Sequence, residues 1–146
     1  MKGIVHRTAC ASTIIYQGKI LIVRRANTEN FLPGVWELPG GKKKAFESTK
    51  KGLLREIREE TGLTKIKIIK LLSLFEYSVH KNENYHDTVQ INFLCELEEE
   101  QPVVLSSEHQ DFLWVGEETY FRYKMTDQVK AVIKEAFGQN KNPAAS

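Results

Sequence analysis

Three glutamates at helical spacing are the residues of this sequence best suited to chemistry. Glu56 precedes Glu59 by three residues and Glu60 by four. Side chains at these separations are neighbours on a helix, so each pair of like charges destabilises the helix by roughly 0.2–0.5 kcal/mol. A divalent cation such as Mg²⁺ would reverse that repulsion, because it prefers oxygen ligands and often binds through carboxylates and phosphate oxygens. A solvated helix face, neutralised locally by Arg55 and Arg58, is the alternative interpretation.

The residues around this helix favour the first interpretation. The segment Gly41–Leu63 has the following pattern: Gly41, five residues, Glu47, seven residues, Arg55-Glu56-Ile57, one residue, Glu59-Glu60, one residue, Gly62-Leu63. This pattern resembles the Nudix box at all of its specified positions. Segments 8–26, 32–41 and 106–115 are also similar to MutT-like members of that family. The resemblance implies an α/β fold with a mixed β-sheet sandwiched between helices (α/β/α), and a magnesium-dependent hydrolase that cuts diphosphate bonds in nucleotides.

The resemblance also implies which residues bind metal. Glu59 and Glu60 correspond to the main ligands, together with the backbone carbonyl of Gly40. Glu56 corresponds to a further carboxylate near the metal and is a candidate to deprotonate the attacking water. The implied cofactor is Mg²⁺, with Mn²⁺ as a substitute. Metal ions suit this reaction because they neutralise diphosphate charge and lower the pKa of a bound water.

Three more residues have supporting or additional roles by the same resemblance. Arg55 and Glu47 correspond to an ion pair that fastens the loop to the helix, which is nearly the same claim as a structural salt bridge. Glu108 stands six residues before Trp114, on a loop where MutT-like members place another metal-binding or base glutamate. The alternative for Glu108 is one more solvated charge on an acidic connection.

Substrate contacts are expected from strand ends and from the start of the last helix. The candidates are Arg24, Arg25, Gly41, Phe75, Tyr77, Thr126 and Asp127. Arginine suits phosphate because its planar guanidinium makes bidentate contacts. Each candidate has an ordinary alternative: arginines at strand ends aid solubility, Thr126 and Asp127 could cap a helix, and strand aromatics are commonly core. The basic run Lys42–Lys44 could attract polyphosphate or be solvated surface.

The substrate is expected to be a nucleoside triphosphate, including an oxidised one such as 8-oxo-dGTP, cut to a monophosphate and pyrophosphate. The downstream proline associated with ADP-ribose hydrolases is missing, since no proline lies between Pro39 and Pro102. Tyr77 is near, but not at, the spacing linked to diadenosine polyphosphate hydrolases. A diadenosine polyphosphate or nucleotide-sugar hydrolase and a non-catalytic nucleotide sensor remain alternatives. The isoprenoid diphosphate isomerases of the superfamily lack support, because no cysteine lies near the box.

The elements that must position these residues follow from local pattern. Runs rich in β-branched and aromatic residues predict strands at Ala11–Tyr16, Lys19–Val23, Trp36–Leu38, Ile66–Val79, Thr88–Leu97 and Phe112–Val115. Helices are predicted at Ser48–Thr61, with Leu53, Leu54 and Ile57 facing the core, and at Asp127–Phe137; Gly62 and Gly138 follow as stops. Pro39-Gly40-Gly41 predicts a sharp turn that leaves the ladder, and 81–87 a polar loop. Gln17-Gly18 suits a two-residue hairpin turn.

Composition sets the remaining bounds. A chain of 146 residues suits one domain, 1–138, with 139–146 as a disordered tail. Its net charge of +2 argues neither for nor against nucleic acid as a partner. Cys10 and Cys95 are expected as buried free thiols in a reducing compartment. With no signal-like N-terminus and no membrane-length apolar run, a cytoplasmic monomer or homodimer that binds a small nucleotide is expected.

Overall fold

The strands form one mixed sheet in residues 3–141, which the computed structural model describes. The strands are β1 (Ile4–Tyr16), β2 (Lys19–Arg25), β3 (Trp36–Glu37), β4 (Gly40–Lys42), β5 (Ile66–Lys81), β6 (Asn84–Leu97) and β7 (His109–Val115). The helices are α1 (Thr49–Thr61) and α2 (Asp127–Lys141), with a 3-10 turn at Tyr120–Arg122. The strand order is β3-β2-β1-β6-β5, with β4 also paired to β1 and β7 to β2.

The parallel pairing of β1 with β6 makes the sheet mixed. It runs from Ile4 beside Tyr85 to Ile15 beside Glu96. The β1–β2 hairpin closes through Gln17 and Gly18, as predicted, and both residues have positive φ. This conformation matches the right-handed twist of the flanking strands.

Five strands, β1, β2, β5, β6 and β7, extend beyond their predicted limits. The polar loop predicted at 81–87 is wrong, because Asn82 and Glu83 alone connect β5 to β6, with φ of 52° and 65°. Such a tight turn lets pairing continue to the hairpin tip. The strand β1 likewise begins at Ile4 rather than Ala11, since its polar first residues are held by the ladder with β6.

The two helices cover opposite faces of the sheet, which confirms the predicted α/β/α layers. The core under α1 consists of buried residues from the helix and one sheet face: Cys10, Ile14, Leu21, Leu53, Ile57, Leu63, Phe93, Cys95 and Leu97. The core under α2 includes Ala11, Ile15, Ile20, Ile22, Trp36, Leu38, Leu94, Val129, Val132, Ile133 and Phe137. Alternate residues of β1 contribute to the two cores because successive side chains of a strand point to opposite faces. Cys10 and Cys95 are free and buried, as predicted.

The orientation of α1 corrects one prediction. Leu53 and Ile57 are fully buried, but Leu54 is 39% exposed, whereas Glu60 is only 6% exposed. Each residue turns the helix by about 100°, so Leu54 lies well away from the direction of Leu53. The helix is rotated so that Glu60, rather than Leu54, faces the sheet.

The ends of the helices depend on local capping. Ser48 is the N-cap of α1, accepting from Lys51 N at 3.2 Å, and Gly62 ends the helix at φ 75°. The stop predicted at Gly138 is wrong, because Gly138 keeps a helical conformation and α2 continues to Lys141. Gln139, on this last turn, accepts from Lys70 Nζ at 2.9 Å. The rest of the predicted tail, 142–146, lies outside the described residues.

Neither α1 nor α2 combines the length and the apolar character needed to cross a membrane, within the residues described.

Candidate active site

The glycines after Pro39 bring α1 against the sheet edge. Gly40 and Gly41 form β4 and pair with Ala11 and Cys10, so the sharp turn away from the ladder that was predicted there is wrong. A Cβ on Gly40 would collide with the backbone of Cys10 and would lie 2.7 Å from Cα of Ala11. The absence of a side chain therefore permits the close backbone approach from which the site is built.

A cleft of about 510 Å³ opens beside β4. Half of the predicted site residues line it: Arg25, Gly40, Gly41, Glu56, Glu60, Tyr77 and Glu108. The other predicted site residues are not part of its lining: Arg24, Glu47, Arg55, Glu59, Phe75, Thr126 and Asp127. Of the basic run Lys42–Lys44, Lys42 alone lines the cleft. Lys43 Nζ instead donates to the carbonyl of Lys44 at 3.1 Å.

Glu60 is the most buried carboxylate of the cleft. Its Oε1 accepts a hydrogen bond from Gly40 N at 2.9 Å. Burial raises the pKa of Glu60 to about 9 despite that hydrogen bond, and the charges of Glu37, Glu56 and Glu108 add to the rise. The protein therefore holds an ionisable group where its negative charge is unfavourable unless a cation is near.

Glu56 lies directly over Gly41. A Cβ on Gly41 would be 2.5 Å from Oε2 of Glu56. Burial raises the pKa of Glu56; Arg55 opposes the rise, and the nearby charges of Glu59 and Glu108 increase it. A carboxylate with a raised pKa is a better proton acceptor than a solvated one, which suits Glu56 to general-base chemistry.

Arg55 connects the helix to the loop before it. Its Nε and Nη2 donate to the two carboxylate oxygens of Glu47 at 2.8 and 3.0 Å, a bidentate pair. Its Nη1 donates to Glu56 at 3.0 Å and to Glu59 at 3.2 Å, and Nη2 reaches the Lys42 carbonyl at 3.3 Å. One guanidinium thus orients Glu56 while fastening the loop, an arrangement that its planar fork of donors permits.

Glu47 is the anchor of that loop. It also accepts from Lys44 N at 2.9 Å, and the Arg55 hydrogen bonds are the main cause that lowers the pKa of Glu47 to about 2. Gly52 leaves room for the Glu47 side chain, since a Cβ on Gly52 would be 2.8 Å from Glu47 Oε1 and 3.1 Å from Cβ of Lys43. The missing side chain at this helix position therefore accommodates the loop.

The oxygen donors of the cleft fit a hard divalent cation. Glu56, Glu60 and Glu108 share the cleft, and their mutual charges raise two of the pKa values. Glu59 is 52% exposed and pairs with Arg55. Within residues 3–141 no three His, Cys, Asp or Glu side chains are already arranged to hold a metal. A cation among these carboxylates would relieve the repulsion between their charges.

Glu37 and His109 belong to the site although the sequence analysis did not select them. His109 Nε2 lies 2.8 Å from Glu37 Oε2, and Glu37 also accepts from Arg25 Nη1 at 3.2 Å. The side chain of His109 is 1% exposed, and its Nδ1 has no partner among the described residues. A signal was present, since His109 directly follows Glu108 and Glu37 stands in the approach segment before Gly40.

The two predicted phosphate-binding arginines are engaged by the protein itself. Arg24 Nε donates to the Gly34 carbonyl at 3.0 Å. Arg25 Nε donates to the Phe31 carbonyl at 2.7 Å, and its Nη1 pairs with Glu37. Only Arg25 lines the cleft, because neighbouring strand residues point to opposite faces.

The remaining predicted substrate residues divide between cleft and core. Tyr77 lines the cleft, while Phe75, whose ring centroid is 6.1 Å from that of Tyr77, packs against the core under α2. Thr126 Oγ1 accepts from Val129 N at 3.2 Å, an N-capping contact, and Asp127 is the first residue of α2. Val129, one turn further, is the residue of this helix that reaches the cleft.

Comparison with known proteins gives one family. The model of the NUDIX domain matches residues 6–137. Over 134 residues the chain is 25% identical to nucleoside triphosphatase NudI of Escherichia coli O139:H28, covering 88% of this chain and 95% of NudI. A MutT-like protein of Streptomyces ambofaciens is 37% identical over 60 residues, 40% of this chain and 36% of that protein. The crystal structure of a MutT protein from Methanosarcina mazei Go1 is similar at TM-score 0.73 and 25% identity, with 96% of both chains covered.

Proposed function

The chain belongs to the NUDIX domain family and is a Nudix hydrolase, and on that premise we propose that it hydrolyses nucleoside triphosphates, including oxidised ones, to monophosphate and pyrophosphate. The observation that carries the proposal is the pairing of a buried Glu60 with Gly40 and of Glu56 with Gly41 in one cleft. The similarity to NudI, a nucleoside triphosphatase, over 88% of this chain supports the choice of substrate.

The residues suited to hold the metal are Glu56, Glu59, Glu60, Glu108 and the Gly40 carbonyl. When bound there, Mg²⁺, or Mn²⁺ in its place, neutralises diphosphate charge and lowers the pKa of a bound water. The chain supplies the rest. Burial raises the pKa of Glu56 and so suits it to accept the proton of the attacking water. Arg55 holds Glu56 in one orientation and the loop in place, a geometry that must be kept to a fraction of an ångström.

The test is a panel of nucleotides with Mg²⁺, comprising the common triphosphates, 8-oxo-dGTP, a diadenosine polyphosphate and ADP-ribose. The wild type is expected to release monophosphate and pyrophosphate from a triphosphate. Glu59→Gln should lower kcat by about a hundredfold or more, since it removes a metal ligand. Glu100→Gln makes the same change at an exposed position beyond β6, away from α1, and as the matched control should retain activity.

The principal alternative predicts a different result. A nucleotide sensor would bind one of these compounds tightly and cleave none, with Glu59→Gln and Glu100→Gln equally silent. Cleavage of ADP-ribose or the diadenosine compound in preference to every triphosphate would instead contradict the substrate class while leaving the hydrolase intact. Location in the cell and oligomeric state stay predictions.

A further inference from the structure

One end of the cleft is basic, and four different strands contribute to it. We define the basic end by its four side chains: Arg7 on β1, Lys42 on β4, Lys81 on β5 and His86 on β6. Lys42, Lys81 and His86 line the cleft. Strand register places all four on one sheet face, since Lys42 pairs with Ala9, His86 pairs with both Val5 and Val79, and residues two apart along a strand share a face.

The basic end has no counter-charge of its own. None of the ion pairs within residues 3–141 includes Arg7, Lys42 or Lys81. The acidic residue nearest in register, Asp87, pairs with His6 at 3.5 Å, one position along β1 and therefore on the opposite face from Arg7. Positive charges gathered on one face of a cleft, without partners, create a potential that favours an anion.

His86 is the best enclosed member of the basic end. Its Nδ1 is buried and has no partner among the described residues. Burial lowers the pKa of His86, and the charges of Lys42, Arg7 and Lys81 lower it further, while a hydrogen bond with the Lys81 backbone opposes the change. A buried polar atom without a partner is costly, and in the tautomer that carries the proton on Nδ1 a bound anion would accept its hydrogen bond.

The basic end lies directly beside the carboxylates of the cleft. Lys42 is the next residue after Gly41, over which Glu56 lies. Phe31, Tyr77 and Val129 also line the cleft, and Tyr77 and Arg7 both pair with Thr88 of β6. Tyr77 and Lys81 are four residues apart on β5, and hence about 13 Å apart at ~3.3 Å per residue. The basic side chains thus continue from Lys42, beside the carboxylates, through Arg7 on β1 and His86 on β6 to Lys81 on β5.

We propose that the basic end binds the terminal phosphate of the leaving group, so that the enzyme selects nucleotides whose diphosphate continues into further phosphate over those whose diphosphate continues into a sugar. This proposal rests on the function proposed above, because it takes the scissile diphosphate to lie at Glu56 and Glu60. It assigns to Arg7, Lys42, Lys81 and His86 a role in substrate choice rather than in bond cleavage.

Calorimetric binding of inorganic anions tests the proposal without catalysis. The wild type is expected to bind tripolyphosphate about tenfold more tightly than pyrophosphate, since charge-assisted contacts to one more phosphate add to the affinity. The double variant Lys42→Gln/Lys81→Gln should lose that preference. The control Lys19→Gln/Lys67→Gln removes the same charge from exposed strand positions outside the cleft and should keep it.

The two proposals fail in different ways. A double variant that keeps the wild-type preference for tripolyphosphate, or a wild type that has none, overturns the basic end as a phosphate site. If triphosphates are cleaved and both double variants act on them with the same kcat/KM, the basic end again fails while the proposed function stands. If the wild type prefers tripolyphosphate but cleaves no triphosphate, the proposed function fails and the anion site stands.

Discussion

A methyl group built on Gly41 would lie 2.5 Å from Oε2 of Glu56, closer than side chains approach one another in folded proteins. The two residues are fifteen positions apart and belong to β4 and α1. The box glycine therefore has a specific structural purpose, which is to let the Glu56 carboxylate lie against the backbone of the sheet edge. The position of Glu56 depends on this contact and on Arg55 together.

Gly41→Ala is expected to lower kcat by about a hundredfold, because displacement of a catalytic group by around 1 Å has effects of that order. Folding should change little, since Glu56 is a side chain that can move aside. Steady-state kinetics and thermal unfolding measure the two effects. Gly116→Ala adds the same methyl where nothing lies within 4 Å and is the control. Unchanged kinetics in Gly41→Ala would show that Glu56 does not need this position.

Replacing glycine with alanine should increase the stability of the protein in α2 but not in α1. Gly138→Ala places a methyl in open space within α2 and is expected to stabilise the protein by up to about 1 kcal/mol. Gly52→Ala has the same gain in helix propensity but displaces Glu47, whose Oε1 would be 2.8 Å from the new Cβ. We therefore expect no net gain from Gly52→Ala and a loss of activity. Urea unfolding of both variants tests the contrast, and equal stabilisation would contradict it.

The Glu47–Arg55 pair should make stability depend on acid. The pKa of Glu47 is about 2 in the folded protein, against an ordinary value of 4.5. Its contribution is therefore fully present above pH 4.5 and is lost as the pH falls towards 2. Glu47→Gln should lower the melting temperature at pH 7, and the difference from wild type should shrink between pH 4.5 and 2.

The control for acid dependence is Glu99→Gln. Glu99 lies 3.8 Å from Lys65 in a largely exposed pair, which should contribute little at any pH. A difference between wild type and Glu47→Gln that stays constant from pH 7 to pH 2 would show that the carboxylate charge is not what holds the loop.

Glu60→Gln should separate folding from metal binding. Gln retains an oxygen that can accept from Gly40 N but removes a carboxylate buried to 6% exposure. Without metal, the melting temperature at pH 7 is expected to stay the same or rise, because the raised pKa of Glu60 costs the folded protein stability and Gln removes that cost. The increase in melting temperature that millimolar Mg²⁺ gives the wild type should be lost. An undiminished Mg²⁺ shift in Glu60→Gln would remove Glu60 from the metal ligands.

The buried His109–Glu37 contact should matter for both stability and activity. His109→Ala leaves Glu37 without its 2.8 Å partner and is expected to cost roughly 1–3 kcal/mol, as does the loss of a buried hydrogen bond. It should also reduce activity, since Glu108 is the adjacent residue. His6→Ala, which breaks the exposed pair with Asp87, is the matched control and should stay within about 0.5 kcal/mol. Equal stability of the two variants would contradict the importance of this contact.

The sequence by itself determined those features whose physics is local. The residues of Gly41–Leu63 indicated the family because their identities and spacing can be read from the sequence without any knowledge of tertiary contacts. Gly62 ended that helix as predicted, and Gln17-Gly18 closed the β1–β2 hairpin as predicted, while Ser48, predicted as the first helical residue, is the N-cap. Caps and positive-φ turns depend on a few neighbouring residues.

Only the tertiary structure decided the relationships that cross the chain. Glu60 meets Gly40 from 20 residues away, and His109 meets Glu37 from 72 residues away. The periodicity of α1 could not show that Glu60 would be buried and Leu54 exposed, because the rotation of a helix is set by what it packs against. The sequence showed the basic run Lys42–Lys44 but not the basic end, which arises when the β1–β6 ladder pairs Arg7 with Thr88, 81 positions later. Long-range strand pairing, which no local pattern specifies, placed these charges on one face.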